Sequence, residues 1–170
     1  IALRLVGSEM CIRDRLVVLS MLALSHHFDE YQVSLKQGLW QKSEQFCLLE
    51  YPITELSSKT LGIVGLGVLG KTVANLAVSF GMRILVAESF KPENSNKSTE
   101  QQKPEFKRVS FQDLVAQSDV ISLHCPLTAE TKSLFDLQAF KTMKKNALLI
   151  NTARGGLIND KALLYALENK

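Results

Sequence analysis

The run Leu61-Gly62-Ile63-Val64-Gly65-Leu66-Gly67-Val68-Leu69-Gly70 limits what this chain can fold into more than any other stretch. An apolar strand leads straight into G-x-G-x-x-G, and residues able to form a helix follow at once. Gly65 permits a tight turn after the strand. Gly67 lets backbone amides come close to a pyrophosphate, and Gly70 lets the helix lie close on the sheet. Leu66, Val68 and Leu69 complete the loop. Phosphates would then meet a helix N-terminus, where unpaired N–H groups and the macrodipole both favour an anion. A glycine-rich turn alone says little, so the flanking elements decide its meaning.

Those elements complete a strand–helix–strand unit. Residues 71–80 place Val73, Ala74, Leu76, Ala77 and Phe80 at helical spacing. Gly81 stands where a left-handed cap closes such a helix. Residues 82–87 (MRILVA) read as a buried parallel strand that ends at Glu88, 18 residues beyond Gly70. An acidic side chain at about that offset meets the adenosine ribose hydroxyls and repels a 2′-phosphate, so NAD is favoured over NADP. Lys91, just beyond, would soften that preference.

Composition bounds the remaining choices. The 170 residues, 46% hydrophobic and 22% charged, suit one globular domain with room for a fragment of a second. The net charge of +3 is not gathered into a basic stripe, which argues against nucleic acid as the main partner. Three widely spaced cysteines show neither metal spacing nor a disulfide framework, which suits a reducing, cytoplasmic setting. No apolar run has the length of a membrane span. Residues 1–15 (IALRLVGSEMCIRDR) carry no persistent period and no turn chemistry joining them to residue 16 and beyond. They do not read as a signal peptide. They resemble a string that recurs at the ends of translated assemblies, and are expected to be foreign to the protein.

Residues 16–28 predict a helix that residues 29–36 extend until Gly38 stops it. Residues 40–56, with Pro52, read as an extended arm. Residues 16–56 thus form a helix and arm leading into a nucleotide-binding domain over residues 57–170. Within that domain, residues 91–104 are polar and read as an exposed loop. Residues 106–109 suggest a short strand, and Ser110 caps a helix over 111–117. Residues 119–125 form a buried strand, Asp136 caps a helix over 137–144, and residues 147–152 form a further strand. Asn159 or Asp160 then caps a helix through Ala162, Leu163, Ala166 and Leu167. Alternating strands and helices predict an α/β fold with a doubly wound parallel sheet.

Ligands of such sheets lie at the carboxyl ends of the strands. Three segments should meet there: the glycine loop, His124-Cys125-Pro126-Leu127-Thr128 with Thr131 just beyond it, and Asn151-Thr152-Ala153-Arg154-Gly155-Gly156. Arg154 is the most telling, because packing poorly explains a guanidinium directly after a core strand. It offers a rigid fork for a carboxylate or a developing oxyanion. His124, at a strand end beside a cofactor, could serve as an acid–base group but reads first as a satisfied structural residue, and Cys125 reads as a small apolar one with no activating base in view.

Taken together, the glycine loop, HCPLTAET (residues 124–131) and NTARGGLIN (residues 151–159) resemble the D-isomer-specific 2-hydroxyacid dehydrogenases. The likeness covers residues 16–170. The join GLWQKSEQFCLLEYPITELSSKTLGIVGLG (residues 38–67) looks most like the glycerate dehydrogenase, or hydroxypyruvate reductase, branch. The resemblance implies a two-domain, NAD-dependent oxidoreductase of small 2-hydroxy or 2-oxo acids that dimerises through its cofactor domains. In it Arg154 matches the catalytic arginine. The catalytic histidine and its glutamate lie downstream of NTARG, and most of the substrate domain lies outside this sequence, so the 170 residues alone are expected to be inactive. Corepressor-like dinucleotide sensors of the same fold are the alternative.

Overall fold

The computed structural model describes residues 9–90 and 105–169. The stretch 91–104, including Lys91 and the polar loop expected there, lies outside the described residues. So do residues 1–8.

Five strands, β1 (Thr60–Val64), β2 (Arg83–Ala87), β3 (Lys107–Val109), β4 (Val120–Leu123) and β5 (Leu148–Asn151), form one sheet in the order β3-β2-β1-β4-β5. Every pairing is parallel, with Leu61 beside both Ile84 and Val120. Strand order reverses between β1 and β4, which makes their carboxyl ends the topological switch point. β1 is buried along its whole length, as its continuous apolar run requires for a central parallel strand.

Helices cover both faces. On one side α4 (Val68–Ser79) and α1 (Glu9–Ser25) place Val73, Ala74 and Ala77, with Val17 and Met21, against Leu61, Ile63, Val86 and Ile150. On the other, α5 (Phe111–Gln117), α6 (Leu137–Thr142) and α7 (Asp160–Glu168) enclose Leu114, Phe135, Phe140 and Ala162 against Val64, Ile121 and Leu123. Phe135 is fully buried and makes edge-to-face contacts with Phe111 and Phe140, which adds directional preference to area burial.

Local signals in the sequence explain most boundaries. Ser110, Asp136 and Asn159 accept hydrogen bonds from the backbone N–H of Asp113, Ala139 and Ala162, each satisfying a donor in its helix's first turn. Gly81 takes a positive φ of 74° just past Phe80, the C-cap of α4. At the amino ends of the strands, Asp119 accepts from Thr60 N–H at 2.8 Å and pairs with Lys144 at 2.8 Å, tying β1, β4 and the residues after α6 together. Partial burial opposes its charge, yet Lys144 and the Thr60 N–H hold its carboxyl below the usual range.

Four expectations are corrected. α1 begins at Glu9 and runs through position 15 without a break. It does not continue to Lys36: His27 adopts the left-handed conformation (φ 51°, ψ 43°), and α2 (Phe28–Lys36) starts a new direction. The arm holds a short helix, α3 (Leu39–Lys42), before its extended part returns along α2. There Tyr31 Oη donates to Tyr51 O, and Ser34 Oγ to Glu50. α6 ends at Thr142, two residues early, because Met143 turns to extended backbone.

Candidate dinucleotide site at the switch point

β1 ends at Val64, and the chain must turn at once to enter α4. Gly65 makes that turn with φ +101°, and a side chain there would stand 2.6 Å from Cys125 N and 2.8 Å from His124 C. The loop after β1 and the loop after β4 are therefore in backbone contact, a closeness only glycine permits. A Cβ on Gly70 would meet the carbonyl oxygen of Gly65, so the first turn of α4 closes directly onto the loop. Around Gly67 no atom lies within 4 Å of where a Cβ would be. The glycine that caps α4 thus faces open space, and the helix N-terminus is accessible above it.

That open space is a cleft of about 710 Å³. Gly65, Leu66 and Gly67 line it from β1, Glu88 from β2, and His124, Cys125, Pro126 and Thr131 from the segment after β4. Eight of the sequence-derived residues therefore share one cavity. Val68, Leu69 and Gly70 form the first turn of α4 and do not line it. Thr152, Ala153 and Arg154 follow β5, one strand further out, and do not line it either.

The chemistry of these groups differs. His124 donates its backbone N–H to Val64 O at 2.8 Å, and its Nε2 lies 2.9 Å from the fully buried Ser122 Oγ. Burial, aided by the Arg13 cation, lowers its pKa to about 4, so it is neutral at pH 7. Burial also pushes the Cys125 thiol up, against a smaller pull from its own backbone, which leaves it an unreactive wall. Thr131 is buried. Its hydroxyl donates to Pro126 O at 2.7 Å and accepts from Thr128 N at 2.8 Å, so it shapes the loop that carries Cys125 and Pro126. Glu88 is exposed, with its N–H given to Val109 O at 2.9 Å. Arg154 is exposed. Its Nη1 donates to Ala153 O at 2.8 Å, and no ion pair joins it to a carboxylate among the described residues.

Three contributors escaped the sequence reading. Gly62, inside β1, has no room for a Cβ beside Leu114 and Ser118, so it lets α5 approach the sheet. Ser122 positions the His124 ring; a serine in the middle of an apolar strand was the available signal. Arg108, on β3, lines the cleft near Glu88, where only strand pairing could bring it.

Because His124 is uncharged when folded and titrates near 6.5 when unfolded, the unfolded state binds the extra proton between those values. Stability is therefore expected to be complete above pH 6.5 and to fall by about 2–3 kcal/mol as pH drops to 4. Urea unfolding across that range should show the slope, and His124→Gln should flatten it. An unchanged slope in the variant would place the titration elsewhere.

An open parallel sheet with this strand order, glycine loop, cleft and acidic residue at the end of β2 defines the class of dinucleotide-binding α/β domains. The vacant approach above Gly67 and the absent side chain at Gly65 fit a pyrophosphate. The chain belongs to the D-isomer specific 2-hydroxyacid dehydrogenase family: residues 18–170 match its NAD binding domain. It is 42% identical over 153 residues to the glycerate dehydrogenase of Methylorubrum extorquens, covering 90% of this chain and 45% of that protein. It superposes on the apo D-lactate dehydrogenase of Escherichia coli with a TM-score of 0.77 at 29% identity, covering 96% of this chain and 48% of the other. For the NAD-dependent formate dehydrogenase of Staphylococcus aureus in complex with NAD, the values are 0.74 and 33%, with 95% and 45% covered. The chain thus spans about half the length of the relatives it matches, and its cofactor is NAD.

No group of residues suited to a metal ion occurs among the described residues. Among them, too, no helix is long and apolar enough to cross a membrane.

Proposed function

We propose that this chain is the cofactor-holding part of an NAD-dependent oxidoreductase that interconverts a small 2-oxo acid, of the hydroxypyruvate or glyoxylate type, with its D-2-hydroxy acid. The observation that carries the reading is the joint presence of the switch-point cleft and an exposed arginine directly after β5 that forms no ion pair among the described residues. Gly67 and the N-terminus of α4 hold the pyrophosphate, and Glu88 takes the ribose hydroxyls. When bound, NAD(H) supplies or accepts the hydride. The neutral His124 ring, the Cys125 thiol and Pro126 wall the cofactor without adding charge. Arg154 orients the 2-oxo acid through its carboxylate and polarises the carbonyl. The proton comes from an acid–base pair that the resemblance places beyond NTARG. The three histidines here are His26, His27 and His124, and His124 alone of them lines the cleft.

We further propose that the domain forms a homodimer through α1, α2 and the arm. Trp40 and Phe46, on the arm, are 52% and 97% exposed. Leu19 and Phe28 flank an apolar hollow of about 280 Å³ on the same part of the chain. Aromatic anchors of this kind are favoured at interfaces. The exposed free thiol of Cys47 suits a reducing cytoplasm.

Titration of the 170-residue protein with NADH, followed by cofactor fluorescence, is expected to saturate at one site per chain, with no NADH oxidation on adding hydroxypyruvate. A full-length protein carrying this domain should oxidise NADH with hydroxypyruvate. Failure to bind NADH would sink the reading; binding without turnover in the full-length protein would favour a dinucleotide sensor.

A further inference from the structure

β3 is the edge strand beside β2, and its register sets Arg108 opposite Val86 and Val109 opposite Ala87. From there the Arg108 side chain reaches the carboxyl end of β2. Its Nη1 donates to Ala87 O at 3.5 Å, a long hydrogen bond, and the residue lines the same cleft as Glu88. Glu88, immediately after Ala87, is the group placed to meet the ribose hydroxyls. Of the other carboxylates, Glu105 is engaged by Lys71 at 2.8 Å, and Glu130 lines the cleft from the segment after β4. No ion pair links Arg108 to Glu88 or to any carboxylate among the described residues. An exposed guanidinium is thus held beside the acidic selector without neutralising it.

We propose that Arg108 is a second specificity-determining residue for the cofactor, acting on the adenosine 2′ position against Glu88. The carboxylate accepts hydrogen bonds from a 2′-hydroxyl and repels a 2′-phosphate. The guanidinium, with a fork suited to phosphate oxygens, attracts one. Cofactor choice is then a difference between two opposed charges on neighbouring strands, and the domain holds a partly built site for a 2′-phosphorylated dinucleotide. This rests on the reading of the cleft as the dinucleotide site.

The test measures dissociation constants for NADH and NADPH in the parent, Glu88→Gln, and Glu88→Gln combined with Arg108→Gln or Arg108→Lys. Glu88→Gln is expected to lower the ratio Kd(NADPH)/Kd(NADH) about tenfold. Adding Arg108→Gln should raise that ratio again by about tenfold, while Arg108→Lys in its place should keep the ratio close to that of Glu88→Gln alone. In the Glu88→Gln protein, NADPH binding should weaken with salt more steeply than in the Glu88→Gln/Arg108→Gln variant, as an exposed charge–phosphate contact requires. A ratio unmoved by Arg108→Gln would overturn the proposal and leave the cleft reading intact, as would a parallel loss of both cofactors. Absence of NADH binding in the parent would overturn both.

Discussion

Gly65→Val is expected to destabilise the domain by at least about 3 kcal/mol, and Gly67→Val, two residues on at the N-cap of α4, by no more than about 1 kcal/mol. The two glycines belong to one motif but do different work. At position 65, valine combines an unfavourable φ of +101° with a clash against backbone atoms of His124 and Cys125. Backbone cannot rotate away as a flexible side chain would. Relief requires the ends of β1 and β4 to part, which breaks the hydrogen bond from His124 N to Val64 O and deforms the cleft. At position 67 the backbone is extended (φ −81°, ψ −168°), which any residue adopts, and the added side chain points into free space. That free space is where the pyrophosphate lies in our reading, so NADH affinity should fall at least about tenfold. Urea unfolding and NADH titration of both variants separate the effects. Normal stability in Gly65→Val would refute the tight approach of the two loops. Undiminished NADH binding by Gly67→Val would remove the cofactor from the helix N-terminus.

In a full-length protein carrying this domain, Arg154→Gln should reduce kcat/KM for hydroxypyruvate by about 10²–10³ while shifting the NADH dissociation constant less than about threefold. The separation follows from position. Arg154 lies one strand beyond the residues that line the cofactor cleft, and among the described residues its side chain makes one hydrogen bond, to its neighbour's carbonyl. The turn is held independently by Asn151, whose side chain accepts from Ala153 N and donates to Arg154 O. Removing the guanidinium therefore leaves the loop in place and deletes only its charge and donors. Glutamine keeps a donor but not the fork, so Arg154→Lys, which keeps the charge alone, should recover part of the loss. Steady-state kinetics with both variants decide the matter. An equal loss of NADH affinity and kcat/KM would recast Arg154 as a cofactor residue.

Much of this was legible because the signals are local. A positive φ, a missing N–H partner or an apolar run acts over a few residues, so the glycine turn, the caps at Ser110, Asp136 and Asn159, and the central strands could be read one segment at a time. The break at His27 could not. Nothing in the histidine pair forbids a continuous helix; α2 turns because its Tyr31 and Ser34 find Tyr51 and Glu50 on the returning arm, roughly twenty residues away.

The sequence alone therefore determined the class of fold, the cofactor and the residues at the ends of β1, β2 and β4. The fold follows from backbone rules that hold wherever such a segment occurs, and the preference for NAD from the charge of a carboxylate at the end of β2. Only the tertiary structure set Val17 and Met21 of α1 against the sheet. β4 and β5 expose an apolar face that no later helix among the described residues covers, and Val17 and Met21 fill it. It also brought Arg108 to the cleft that Glu88 lines and set Arg154 after β5, one strand beyond that lining. Both placements depend on which strand lies beside which, a choice made by burial and pairing across distant parts of the chain.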